Sequence, residues 1–197
     1  EYVSQEEVLK TVIDLGPSTS KPRHYLGVAQ ILQENYAAAD EQLNNAPGSA
    51  DSGDLMATMG LLAASRGEVI VAAQKLQQAL SAGTSINNLA RARLGLLYME
   101  HGDYNAALTQ LKSAAAKAER TDSIRFYYAV CLQALGRNAE ALVKYEEIVQ
   151  SDSKQAPEAA LQLTIIYMSQ GNLPKAREFS RQAAQLEADM PRLYTAQ

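Results

Sequence analysis

Residues 88–121, NLARARLGLLYMEHGDYNAALTQLKSAAAKAERT, decide the fold of this chain. Their anchor positions are Leu94-Gly95, Tyr98, Gly102-Asp103-Tyr104, Ala107, Leu111 and Ala114. The same frame occurs five times, with offsets of 33, 35, 34 and 35 residues between copies that begin at Leu26, Met59, Leu94, Tyr128 and Leu163. A period near 34 residues is typical of an array of helical hairpins. The sequence therefore predicts a helical binding scaffold, without indicating its partner.

The residue types at these anchors suit closely packed helix pairs. Gly60 and Gly95 leave room for the second helix to approach the first. The facing position is Ala, the best helix former and a small side chain, in every copy: Ala39, Ala72, Ala107, Ala141 and Ala176. Glycine follows the first helix in four copies, where it tolerates the left-handed conformation that ends a helix: Gly67, Gly102, Gly136 and Gly171. Asp103 and Asn172 are then predicted to cap the second helix.

These residues resemble the tetratricopeptide repeat family over residues 20–190, and most closely over residues 88–121. The Trp that opens the family's repeat is absent from every copy. The resemblance implies an all-α fold, a right-handed α-solenoid of about five helix-turn-helix repeats plus an N-terminal helix. The predicted divisions are 1–19 for an N-terminal helix and linker, 20–52, 53–87, 88–121, 122–156 and 157–190 for the repeats, and 191–197 for a C-terminal tail.

Composition and charge limit the function classes. The chain has 197 residues, 47% of them hydrophobic, and a net charge of −4. Its basic residues are interleaved with acids, whereas nucleic-acid binders usually concentrate Lys and Arg on one face. No stretch approaches the roughly 18 consecutive apolar residues of a membrane span. The first residue is Glu1 and not Met, so we expect a trimmed or processed chain whose targeting segment could have been lost.

Catalytic and metal-binding patterns are absent from the sequence. His24 and His101 lie in different repeats, and neither has the spacing of a metal-ligand motif. There is no glycine-rich phosphate loop and no Gly-x-Ser-x-Gly elbow. Cys131 stands where other copies have Leu or Ile, which favours a small core residue over a reactive thiol. We therefore expect no enzymatic activity, no cofactor and no metal site.

A stripe of apolar residues along the first helix of each repeat is the predicted functional surface. In the family this helix lines the concave groove, and positions three and four residues apart share one face of a helix. The predicted groove residues are His24, Tyr25, Val28, Ile31, Leu61, Arg93, Leu96, Met99, Phe126, Tyr127, Val130, Gln162, Ile165 and Met168. For the position occupied by Leu96, packing against the adjacent repeat and exposure in the groove both remain open.

The predicted occupant of this groove is an apolar or amphipathic segment of another protein. Some family members hold the terminal carboxylate of a peptide with Lys, Asn and Arg at set positions of the first helix. In this chain only Arg93 matches the residue type expected at one of these positions, which argues against that mode of binding. The leading hypothesis is a non-catalytic adaptor in the assembly of a larger complex. It resembles bacterial assembly factors, including pilus-biogenesis lipoproteins, which favours a periplasmic or membrane-tethered location over a cytoplasmic one. The alternative is a scaffold that homo-oligomerises through terminal hairpins or the amphipathic segment Ser4–Leu15.

Overall fold

The computed structural model describes residues 26–27, 30–31, 35–44, 53–116, 122–151 and 153–194, apart from the side chains of residues 40, 42, 44 and 189–194. This part of the chain contains helices and no strand. The helices are α1 (Tyr36–Asn44), α2 (Gly53–Ser65), α3 (Val69–Ala82), α4 (Asn87–Glu100), α5 (Tyr104–Ala115), α6 (Asp122–Ala134), α7 (Asn138–Val149), α8 (Ala156–Ser169) and α9 (Leu173–Tyr194).

One backbone turn recurs where the first helix of each predicted hairpin ends. The glycines that follow α2, α4, α6 and α8 have φ angles between +73° and +77°, as predicted for a left-handed helix end. In every copy the next residue donates its N–H to the carbonyl five residues earlier, as Asp103 does to Tyr98 at 2.9 Å. The first copy keeps the bond without the glycine, since Asn35 donates to Gln30 at 2.8 Å. The shared turn explains why the sequence frame repeats.

The two predicted helix caps are confirmed. Asp103 Oδ1 accepts a hydrogen bond of 3.0 Å from the backbone N–H of Ala106 and so caps α5. Asn172 Oδ1 accepts a longer bond, 3.3 Å, from the N–H of Lys175 at the start of α9. Each oxygen satisfies one of the backbone donors that a helix leaves free in its first turn.

The chain divides into two compact units, Glu1–Leu97 and Tyr98–Gln197, and the division falls within α4. In the first unit, α2 and α3 pack so closely that a Cβ on Gly60 would lie 2.8 Å from Leu76 Cγ. Leu62 joins Ala39 and Leu43 in a small cluster beside α1. The packing therefore uses the small residues that the sequence frame supplies.

Two apolar clusters lie among the described residues of the second unit. The smaller one joins Ala107, Leu111 and Cys131, and burial raises the pKa of the Cys131 thiol to about 11. Cys131 is therefore the core residue that the sequence predicted. The larger cluster lies among α6, α7, α8 and α9, and its most voluminous fully buried side chain is Tyr145.

The two ends of the predicted domain scheme differ in what the structure describes. The segment Ser4–Leu15 and the linker after it lie outside the described residues. The last helix, α9, continues to Tyr194 and so enters the predicted C-terminal tail. The repeat boundaries themselves stay a prediction.

Candidate functional site

The most exposed part of the predicted stripe lies on α8. Leu161, Ile165 and Met168 are 49%, 52% and 58% exposed. Their spacings of four and three residues place them on one face of the helix. Gln162, half-buried, stands beside them at the edge of this face. We call Leu161, Ile165 and Met168 the α8 stripe.

The corresponding residues of α6 are partly used for packing. Phe126 is half-buried and lies against two rings, 5.7 Å from Tyr127 and 5.8 Å from Tyr145 between centroids. Val130 is half-buried and contacts the larger cluster of the second unit, whereas Tyr127 is 38% exposed. Phe126 is therefore held by packing against Tyr145, and Tyr127 is the more accessible ring of the two.

The buried hydroxyl of Tyr145 fixes a side chain near the end of α6, on the same face as Val130. Tyr145 Oη donates a hydrogen bond of 2.9 Å to Gln133 Oε1. Burial, with a smaller contribution from neighbouring Cys131, raises the pKa of Tyr145, so its hydroxyl stays protonated and able to donate. The amide of Gln133, one turn beyond Val130, is thereby fixed in place.

The predicted groove residues of α4 are less accessible. Leu96 and Met99 are half-buried, and Met99 packs against the cluster that contains Leu111. Arg93 Nη2 donates a hydrogen bond of 2.9 Å to the backbone carbonyl of Ala64 near the end of α2. Arg93 thus satisfies a helix carbonyl, which gives it a structural use besides any contact with a peptide.

The predicted groove residues of the first unit face its interior. Leu61 is only 7% exposed, and Ala57 and Ala64 on the same face of α2 are buried too. Ile31 is half-buried and packs against the cluster of Ala39, Leu43 and Leu62. The small side chains on α2 permit close coverage by neighbouring helices, so Leu61 offers little surface to a ligand. His24, Tyr25 and Val28 lie outside the described residues.

A cavity lies between α8 and α9, and the sequence analysis does not predict it. It has a volume of about 350 Å³ and is lined by Thr164, Met168, Leu173, Ala176, Arg177, Ser180 and Arg181. The sequence carried a signal for it: Ser180 occupies the anchor position that holds a large side chain in the other copies, Leu43, Leu76, Leu111 and Tyr145. A small polar residue at that anchor leaves space unfilled.

Other kinds of site find no support among the described residues. They contain no group of three or more His, Cys, Asp or Glu side chains placed to hold a metal ion. No helix in the described part of the chain is both long enough and apolar enough to cross a membrane.

Comparisons with known proteins agree on the repeat. Residues 92–156 match the tetratricopeptide repeat family model. Among solved structures, "MamA MSR-1 C2" is 19% identical with a TM-score of 0.72, covering 87% of this chain and 98% of that chain. "Crystal structure of YrrB: a TPR protein with an unusual peptide-binding site" is 20% identical with a TM-score of 0.69, covering 97% and 98%. No curated protein sequence gives a significant match. These likenesses show that the fold is the all-α solenoid of this repeat.

Proposed function

We propose that this chain, a tetratricopeptide repeat protein, is a non-catalytic scaffold that binds an apolar or amphipathic segment of another protein. The observation that carries the proposal is the α8 stripe, three large apolar side chains that are each about half exposed. Exposed apolar residues are ordinary when scattered singly, but a contiguous row is typical of an interaction surface. The array would hold its partner while a larger complex assembles.

The geometry of the α8 stripe suits a helical or extended apolar ligand. Residues at i, i+4 and i+7 form a continuous line along a helix, and an amphipathic helix presents the same spacing on its own apolar face. Met168 is unbranched and polarizable, so it can adapt to differently shaped side chains. Tyr127 on α6 adds an accessible ring with a hydroxyl that can hydrogen-bond a peptide backbone.

The comparisons are consistent with a protein ligand. YrrB is a repeat protein with an unusual peptide-binding site, and its fold is similar to this one over nearly the whole chain. By analogy of fold, we infer that the present chain also binds a peptide, and that the α8 stripe and Tyr127 in the second unit contact it. A role in bacterial pilus biogenesis and a periplasmic location remain predictions from the resemblance.

A matched pair of substitutions tests the proposal. Ile165 on α8 and Val143 on α7 are both β-branched and both 52% exposed, but only Ile165 belongs to the α8 stripe. Peptides selected from a random displayed library on the wild-type protein should be apolar at helical spacing. Their affinity should fall by about tenfold or more, roughly 1.4 kcal/mol, in Ile165→Glu and change little in Val143→Glu. Selection of purely polar peptides, or equal binding to Ile165→Glu, would contradict the proposal.

Self-association is the rival function. Exposed apolar side chains on α8 and α9 could instead meet a second copy of the chain, or the segment Ser4–Leu15 could do so. Light scattering on a chain that starts at Ser20, and on Ile165→Glu, separates these routes. A loss of oligomer mass in either variant would favour self-association over capture of another protein.

A further inference from the structure

Helix α8 packs on one face of the preceding hairpin, which consists of α6 and α7. Its contacts there show what kind of helix such a face binds. Ala159, Ala160 and Leu163 of α8 are fully buried in the cluster that contains residues of α6 and α7. Above them, Tyr167 Oη donates a hydrogen bond of 3.1 Å to Glu146 Oε1 of α7. The accepted helix therefore combines a buried strip of two alanines and a leucine with one hydroxyl group, that of Tyr167, which contacts the charged residue on α7.

The equivalent face of α8 and α9 has the opposite chemistry. A shift of 35 residues replaces Glu146 by Arg181, Tyr145 by Ser180 and Leu142 by Arg177. The loss of the Tyr145 ring corresponds to the cavity of about 350 Å³ that Ser180, Arg177 and Arg181 line. Both arginines are exposed, and neither forms an ion pair within the described part of the chain.

We propose that this α8–α9 face is a second docking surface, which takes an α-helix of another protein that carries a carboxylate. The carboxylate would lie where Tyr167 lies on the preceding hairpin and would pair with Arg181, with Arg177 within the same cavity. Paired with a carboxylate, arginine forms a planar, bidentate hydrogen-bonded contact. Because Arg181 is longer than Glu146, an acidic side chain shorter than Tyr167 can still reach it from the docked helix. An apolar residue of the same helix would fill the space above Ser180.

Charge argues for another protein and against a second copy of this chain. In a two-fold symmetric dimer through this face, each copy would present the same patch to the other. Arg177 and Arg181 of one copy would then lie close to the same arginines of its partner, and like charges brought together in an interface are unfavourable. Glu178, which lines a neighbouring pocket with both arginines, offsets one of the two charges and leaves the group of three with a net positive charge. An acidic helix meets the two arginines with complementary charge instead.

The chain supplies its own probe for this surface. A synthetic peptide of residues 155–170 reproduces α8, and Leu161→Gln with Ile165→Gln makes it more soluble without altering the side that is buried on the preceding hairpin. One version carries Tyr167→Glu and the matched version carries Tyr167→Lys. We expect the Glu peptide to bind the wild-type protein about tenfold more tightly than the Lys peptide, with an advantage that decreases at high salt.

The reciprocal protein variant makes the test specific. In Arg181→Glu the preference should reverse, so that the Lys peptide binds more tightly, while Val143→Glu should keep the wild-type preference. Arg181 is exposed, so its replacement should leave the fold intact, which circular dichroism checks. Equal binding of the two peptides, absence of binding by both, or a preference that Arg181→Glu does not reverse would overturn the proposal. So would a wild-type dimer that Arg181→Glu dissociates, because a second copy would then be the occupant.

This proposal and the proposed function can fail separately. Met168 belongs to both surfaces, but Ile165 does not line the cavity between α8 and α9, so Ile165→Glu should leave the difference between the Glu and Lys peptides unchanged. Peptides selected for the α8 stripe should in turn bind Arg181→Glu with nearly wild-type affinity.

Discussion

Helices α2 and α8 hold the same positions of the repeat, yet one face is buried and the other is exposed. Leu61 of α2 corresponds to Ile165 of α8, and Ala57 and Ala64 correspond to Leu161 and Met168. On α2 all three side chains are buried, and Arg93 of α4 reaches over the same helix to the carbonyl of Ala64. On α8 all three are about half exposed. The repeat frame therefore fixes where a side chain points, whereas side-chain size and the neighbouring helix decide whether it is available to a ligand.

The largest expected difference comes from placing a charge at the two equivalent positions. Leu61→Glu puts a carboxylate among buried apolar side chains without a partner, which should lower the free energy of unfolding by about 3 kcal/mol or more. Ile165→Glu adds a charge that remains in water and should change the same quantity by less than about 1 kcal/mol. Urea unfolding followed by circular dichroism measures both. Similar losses of stability in the two variants would mean that α2 and α8 are equally exposed.

A smaller difference is expected at the closest approach of the paired helices. Gly60→Ala places a Cβ 2.8 Å from Leu76 Cγ and 3.1 Å from the Leu76 backbone nitrogen. The overpacking should lower the free energy of unfolding by about 2 kcal/mol. The matched variant is Thr164→Ala at the equivalent position of α8, where a larger residue is already accommodated, and its cost should be below about 1 kcal/mol. A harmless Gly60→Ala would show that α2 and α3 are packed less closely than described.

The turns after α2 and α8 should respond differently to loss of a side chain. Asn172 Oδ1 accepts a hydrogen bond at the start of α9, whereas Glu68, its equivalent before α3, makes no side-chain cap. Asn172→Ala should therefore cost about 0.5–1 kcal/mol, and Glu68→Ala only a few tenths. Thermal unfolding of the two variants side by side checks this order. A larger loss in Glu68→Ala than in Asn172→Ala would contradict this assignment of the caps.

The sequence predicts the local backbone features of this molecule better than it predicts which side chains are exposed. The five turns, the caps at Asp103 and Asn172 and the buried alanines such as Ala107 follow from residue type and spacing, because they depend on local backbone geometry. Exposure along the stripe does not follow, since Leu61 and Ile165 look alike in sequence and differ only in what packs beside them.

The cavity between α8 and α9 does not follow from the repeat frame for a related reason. Ser180 occupies an anchor position of the frame, but its side chain is smaller than the one in every other copy. The opposite charges of Glu146 and Arg181 gain meaning only once α8 is seen to contact Glu146. Comparing equivalent positions across copies by volume and charge, as well as by polarity, would have identified this face from the sequence.

A further expected effect concerns alkaline pH and the second unit. Tyr145 on α7 holds the repeat position that Leu76 holds on α3, and burial raises its pKa, as it raises the pKa of Cys131 from 9.0 to about 11. Because the folded protein holds these protons more tightly than the unfolded chain, the stabilisation is fully present below pH 9.0 and is lost as the pH rises toward 11. The free energy of unfolding should therefore fall over this interval.

Two variants assign this alkaline loss to its source. Cys131→Ala and Tyr145→Phe should each reduce the decline in the free energy of unfolding. Urea unfolding at pH values of about 8, 9, 10 and 11 measures it, because this range spans the ordinary pKa values of a thiol and a phenol. The thiol should also react slowly with iodoacetamide near neutral pH and quickly after unfolding, since only the thiolate is nucleophilic. A decline that neither variant changes would mean that groups other than Cys131 and Tyr145 are responsible.

The most direct test of the central claim is photo-crosslinking from α8 inside cells of the source organism. Benzoyl-phenylalanine replaces Ile165 in one protein and Val143, equally exposed on α7, in the other. If the α8 stripe holds a segment of another protein, position 165 should give a discrete crosslinked partner band that position 143 does not give. An adduct of equal yield at both positions, or a product containing only a second copy of this chain, would contradict the account.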